Sequence, residues 1–99
     1  MSSATAPVYG TAASGSPTLS FTATGNGRAI IVGHCNTSNN TGFVRIKANG
    51  TSVAEATNMA NDTFGQAYYD FSAGDTISFE AGTGINYTTG VTAMYFYWG

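Results

Sequence analysis

The residues with the most chemical reach are His34 and Cys35, the single histidine and single cysteine, and five carboxylates: Glu55, Asp62, Asp70, Asp75 and Glu80. A nucleophilic thiol needs a base within hydrogen-bond reach. Adjacent residues of a strand point to opposite faces, so His34 and Cys35 cannot form that pair, and Cys35 reads as a buried thiol. A zinc site lacks ligands, and the acids show no calcium-loop spacing. Two carboxylates could meet in space as a glycosidase pair, but no spacing asks for it. Gly25-Asn26-Gly27 and Gly82-Thr83-Gly84 lack the helix that turns a glycine loop into a phosphate cradle, and they read as strand connectors. The sequence therefore names no catalytic residue, no metal ligand and no cofactor site, and the protein is expected not to be an enzyme. What remains is recognition. Tyr68, Tyr69, Tyr87 and Trp98, with Asn86, could stack on and hydrogen-bond a sugar, although tyrosines on a sheet are also ordinary interface residues.

Period-two alternation carries the elements that must position these groups. Leu19, Phe21 and Ala23 alternate with Thr and Ser in a half-buried strand that ends at Gly25-Asn26-Gly27. Ala29 to Val32 is a continuous apolar run, expected to be covered on both faces. Asn36 to Gly42 is a polar loop, Phe43 to Ala48 a strand, and Thr51 to Thr57 its hairpin partner across Asn49-Gly50, the strongest turn signal in the chain. A two-residue loop here would set Val44 opposite Glu55 and place a carboxylate on the apolar side. A three-residue loop of Ala48, Asn49 and Gly50 sets Lys47 opposite Thr51 and Val44 opposite Ala54, and is the expected register. Asn58 to Gly65 reads as a second loop, Gln66 to Phe71 as a strand, Ser72 to Asp75 as a turn, and Thr76 to Ala81 as a strand with Ile77, Phe79 and Ala81 on one face. Gly82 to Gly90 is loop, with Ile85 and Tyr87 tucking inward. No apolar three–four spacing persists for two turns, so no helix is expected. The fold class that follows is all-β: a small antiparallel β-sandwich, jelly-roll-like, over residues 18–99, with an extended arm over residues 1–17.

The last strand, Val91 to Trp98, breaks the alternation. Met94-Tyr95-Phe96-Tyr97-Trp98 is apolar or aromatic throughout, with Tyr95 and Tyr97 on one face and Met94, Phe96 and Trp98 on the other. Either a loop or the arm covers its second face, or a second subunit does. Enrichment of Tyr and Trp at interfaces favours the subunit. Tyr95, Tyr97 and Trp98, together with Val8 and Tyr9 of the arm, are the expected contacts.

Composition narrows the partners. The 99 residues are 42% apolar and only 8% charged, with three basic and five acidic side chains and a net charge of −2. Thr, Ala, Gly, Ser and Asn make up 59 of the 99 positions. A nucleic-acid binder needs clustered Lys and Arg, and a membrane span needs an apolar run of about 18–20 residues; neither is present. Met1 to Ser20 holds no secretory signal pattern, so the sequons at Asn36, Asn39, Asn49, Asn61 and Asn86 read as by-products of an Asn/Thr-rich chain made in a reducing cytoplasm. A domain of this size with one cysteine and a sparsely charged surface is expected to gain stability by hiding part of that surface in an assembly.

Two segments resemble the jelly-roll family of tumour necrosis factor and the complement globular heads. Val44-Arg45-Ile46-Lys47-Ala48-Asn49-Gly50-Thr51-Ser52-Val53 looks like its strand–Asn-Gly–strand hairpin. Phe71-Ser72-Ala73-Gly74-Asp75-Thr76-Ile77-Ser78-Phe79 looks like its Gly-Asp turn before a late strand, and Tyr95-Phe96-Tyr97-Trp98 sits where that family places a final core strand. The sparsely charged, Thr/Ser/Asn/Gly-rich chain with a small-residue arm is similar to small virion proteins of tailed bacteriophages, best of all to jelly-roll decoration, or cement, proteins of the capsid. That resemblance implies a structural virion protein on the capsid exterior, self-associating as a trimer before a dimer and contacting the major capsid protein or another virion protein. The arm would lie across the capsid or a sister subunit. The alternative it leaves is a receptor-binding tail-fibre tip or a lectin-like module that reads glycans through the exposed aromatics.

Overall fold

A computed structural model describes residues 8–10, 20–36, 40–82 and 91–98. The fold grows outward from Asn49-Gly50. Both residues take positive φ, 55° and 85°, which makes a two-residue turn whose twist matches that of the flanking strands. Around this turn lie β4 (Gly42–Ala48) and β5 (Thr51–Met59), then β3 (Gly27–Cys35) and β6 (Thr63–Phe71), then β2 (Ser20–Thr22) and β7 (Thr76–Gly82), and finally β1 (Val8–Gly10) and β8 (Val91–Tyr97). Each of these nested pairs is antiparallel. Alternate pairs belong to alternate sheets, and β8 joins β3 while β7 joins β4. The sheets therefore run β1-β8-β3-β6 and β2-β7-β4-β5. A long hairpin rolled up in this way is a jelly roll, as the sequence led us to expect.

The core is the space between the two inner faces. The second sheet sends in Val44, Ile46, Ile77 and Phe79, all fully buried, and the first meets them with Ala29, Ala67, Ala93 and Ile31. Here the small alanines of the first sheet meet the larger side chains of the second. Toward the end where β3 starts, Phe21 stacks on Tyr95 at 3.6 Å and meets Phe71 edge-on at 5.3 Å, while Tyr97 meets Phe71 edge-on at 5.7 Å. Among the described residues no Thr, Ser or Asn is buried; they fall on outer faces and turns.

Four expectations are corrected. First, the central hairpin has two loop residues, not three: Ala48 lies opposite Thr51 and Lys47 opposite Ser52. The register then shifts, Val53 stands without a partner, and Arg45 comes opposite Glu55, with Val44 opposite Ala56. The carboxylate is kept off the apolar side, but by a bulge within the strand; the twist-matched turn is retained and the edge strand is kinked. Second, Asn58 to Gly65 is mostly strand. Asn58 takes φ 54° at a second register shift, β5 runs on to Met59, and only residues 60–62 turn. Third, among the described residues Ala29 to Val32 meets a second layer on one face alone; Ile30 and Val32 lie on the other face and are half-buried. Fourth, part of the arm belongs to the sandwich. Val8 pairs with Tyr95 and Tyr9 with Met94, so residues 8–10 extend the edge of β8. Ile85 and Tyr87 lie outside the described residues.

Candidate interaction surface

The outward residues of the first sheet are set by strand alternation and register. Phe96, Arg28 and Asp70 form one row across β8, β3 and β6; Met94, Ile30 and Tyr68 form the next; Thr92, Val32 and Gln66 the third; and His34 beside Phe64 the last. Phe64 and Tyr68 are 75% and 60% exposed, and Trp98, just past β8, is 47% exposed. The Trp98 N–H donates to the Asn26 carbonyl at 2.9 Å, which fixes the residue after its strand has ended, and its ring meets Phe96 edge-on at 5.1 Å.

Charge on this face is paired off. Arg28 donates through Nε to Asp70 Oδ1 at 2.6 Å and through Nη2 to Oδ2 at 3.0 Å, a two-pronged bond. This bond raises Arg28 above its ordinary pKa and holds Asp70 below its own. The guanidinium also lies over the rings of Tyr68, at 4.5 Å, and Trp98, at 5.2 Å. A shallow pocket of about 170 Å³ opens beside it, lined by Arg28, Ile30, Gln66, Ala67 and Tyr68. At the other end His34 Nε2 lies 2.9 Å from Asp62 Oδ1, and its ring lies 4.9 Å from Phe64.

The outward face of the second sheet is different in kind. Arg45 donates to Glu55 at 2.8 Å and to Glu80 at 2.8 Å, and Lys47 approaches Glu80 at 3.9 Å. The bonds to Glu55 and Glu80 raise Arg45 above its ordinary pKa. All but one of the Lys and Arg side chains therefore lie on this sheet, among Thr and Ser.

The structure sorts the expected residues. Trp98 is outward and exposed. Tyr95 and Tyr97 are not on that surface: both point inward and pack against the core, so the outward residues of β8 are Met94 and Phe96. The backbones of Val8 and Tyr9 are paired with β8, and their side chains lie outside the described residues. Of the sugar-binding set, Tyr68 and Trp98 come together over Arg28, Tyr69 turns inward, and Asn86 and Tyr87 lie outside the described residues. His34 and Cys35 are on opposite faces; the buried Cys35 thiol donates to the Met59 carbonyl at 3.3 Å. Glu55 and Glu80, read as dispersed, are brought to one guanidinium. Among the described residues no group of three His, Cys, Asp or Glu side chains could hold a metal ion.

Sequence reasoning missed Arg28, Phe64 and Gln66, and placed Asp70 only among the dispersed carboxylates. The alternation of Phe64, Gln66, Tyr68 and Asp70 was there to be read, but Asn61 and Gly65 masked its start as a loop. Comparison with protein-family models, curated proteins and solved structures finds no match.

Proposed function

We propose that this protein is a non-enzymatic structural component of a tailed-bacteriophage virion: a capsid decoration protein that binds the outer shell as a homo-oligomer. One observation carries the self-association, the outward face of β1-β8-β3-β6. Phe64, Tyr68, Met94, Phe96 and Trp98 share that face with charges already neutralised among themselves, while unlike ionic networks occupy the opposite side. Monomers rarely leave an aromatic patch of this kind in water. A face whose ions are internally paired can meet a copy of itself without bringing like charges together, which suits a second copy of this chain. The placement on a capsid rests on the resemblance of the sequence to virion proteins.

Sedimentation of the purified chain tests the reading. The wild type is expected to sediment as an oligomer at micromolar concentration. Phe64→Ser and Trp98→Ala are expected to weaken self-association at least about tenfold, the loss of one buried aromatic anchor, with little change in the folded spectrum. A wild type that stays monomeric at high concentration overturns self-association. The assigned face is overturned if both variants keep the wild-type mass. Addition of the protein to expanded capsids that lack it tests the location. The rival reading, a glycan-binding module, draws on the pocket beside Tyr68, Arg28 and Gln66; it predicts a glycan-array signal that Tyr68→Ala removes, and no capsid addition.

A further inference from the structure

The chain contains two Asn-Gly dipeptides, Asn26-Gly27 and Asn49-Gly50, far apart in sequence. Asn-Gly is the most labile peptide step toward deamidation, because glycine offers no side chain to hinder attack by its own nitrogen. In that reaction the glycine nitrogen attacks the asparagine Cγ. The new N–Cγ bond closes a succinimide, the Cγ–Nδ2 bond breaks, and ammonia leaves with the proton that the backbone nitrogen gives up. Water then opens the imide to aspartate or isoaspartate. The asparagine side chain must be free to swing toward the following nitrogen.

The fold gives neither side chain that freedom, and it uses one element to hold both. The Ser72–Asp75 turn connecting β6 to β7 lies between the β2–β3 and β4–β5 turns. From one side, Asn26 Oδ1 accepts from the Ala73 N–H at 3.1 Å. From the other, Asn49 Nδ2 donates to Asp75 Oδ1 at 3.2 Å, and Asn49 Oδ1 accepts from the Thr76 N–H at 3.0 Å. The turn is itself rigid: the Asp75 N–H donates to the Ser72 carbonyl at 3.1 Å, and Asp75 Oδ2 accepts from the Ser72 N–H at 3.0 Å. It is also tied to the chain just before Asn26, with the Gly74 N–H donating to the Ala23 carbonyl and the Ala23 N–H to the Asp75 carbonyl, each at 2.8 Å. Gly27 is buried and stands opposite both Phe71 and Tyr97 in the sheet, so the backbone that follows Asn26 is held in place by a strand on either side.

We propose that Asn26 and Asn49 are two deamidation sites gated by one latch, the Ser72–Asp75 turn, and coupled to each other through it. Cyclisation at either site needs the turn to move away. The product at position 49 is then asymmetric in its effect. A carboxylate there loses the donor to Asp75 and sets two negative oxygens against each other, which loosens the turn and frees Asn26. A carboxylate at position 26 keeps an oxygen for the Ala73 N–H, and leaves Asn49 held.

Peptide mapping by mass spectrometry of the full-length protein, incubated at neutral pH with and without denaturing urea, reads both sites at once. Both are expected to deamidate at least about tenfold more slowly in the folded protein, since reaction requires local opening. Asn49→Asp is expected to raise the rate at Asn26 several-fold in folded protein, and Asp75→Ala to raise it at both sites. Asn26→Asp is expected to leave the rate at Asn49 unchanged. Equal rates with and without urea overturn the gating. An Asn26 rate that does not respond to Asn49→Asp overturns the coupling. Circular dichroism at the incubation temperature establishes which variants are folded. Should Asn49→Asp be unfolded there, Asn49→Ser, which removes the donor to Asp75 without adding charge, is held to the same expectation.

Discussion

Asp75 illustrates how much one half-buried carboxylate can do when its partners are fixed. The Ser72 backbone N–H, and after it the Asn49 side chain, hold its pKa below the ordinary 3.8. A depressed carboxylate stabilises the folded state once pH is above its unfolded value, and the contribution is lost as pH falls through the folded value. Asp75→Asn is therefore expected to lower the urea midpoint at pH 6, and the gap to the wild type is expected to close as pH falls below 3.8. Urea titrations at several pH values check this, and a constant gap down to pH 2 would contradict the assignment. The same scale shows why His34 and Cys35 do not meet. His34 and Cys35 are separated by the pleat of β3, a separation set by their adjacency in sequence. The meeting of Glu55 and Glu80 on Arg45 was not visible, since it depends on a bulge and on which strands flank β4.

At the level of the element, glycines decide where strands can cross closely. Gly65 sits where a Cβ would strike the Met59 side chain, so its absence lets methionine close the core at the junction of β5 and β6. Read along the sequence, Gly65 looked like a loop residue; in space it is a packing residue. Gly27 is tighter still, with the Phe71 ring 2.6 Å and the Tyr97 Cα 2.9 Å from the position a Cβ would take. Backbone cannot give way as a flexible side chain can. Gly27→Ala is expected to destabilise by about 3 kcal/mol, the upper range for overpacking, read as a fall in the thermal midpoint; a loss under about 1 kcal/mol would refute that close approach. The bulge at Val53 follows the same logic from the other side. The sequence argument that Glu55 must avoid the apolar face was sound, but it could not choose between a longer loop and a bulge, which satisfy it equally.

For the whole molecule, the nested-hairpin topology makes the first and last strands neighbours. β1 supplies only Val8–Gly10, yet it covers part of the edge of β8, the most apolar strand. Deletion of residues 1–10 is expected to leave a folded sandwich with β8 at an open edge. Such an edge pairs with other chains. The truncated protein should therefore melt earlier and form concentration-dependent heavier species in light scattering. A truncation that matches the full chain in both midpoint and mass would show that β1 protects nothing. In the proposed assembly the two outer faces divide the work: the aromatic one meets a sister copy, and the charged one stays in water or meets the shell.

The sequence alone was enough to specify most of the strands, the inward residues of β2, β4 and β7, the places of the Asn49-Gly50 and Ser72–Asp75 turns, and the all-β class, because alternation and turn chemistry are local and each residue carries its own share of them. Tertiary structure decided the rest. Whether Tyr95 and Tyr97 face inward or outward is a choice between two sides of one strand, and a strand that is apolar on both sides carries no sign of which is which. Pairing β8 with β3 across from β7 and β4 made that choice, and so turned Trp98 outward over Arg28. The shared grip of Asn26 and Asn49 on one turn likewise exists only once three distant segments have been brought to the same end of the sandwich.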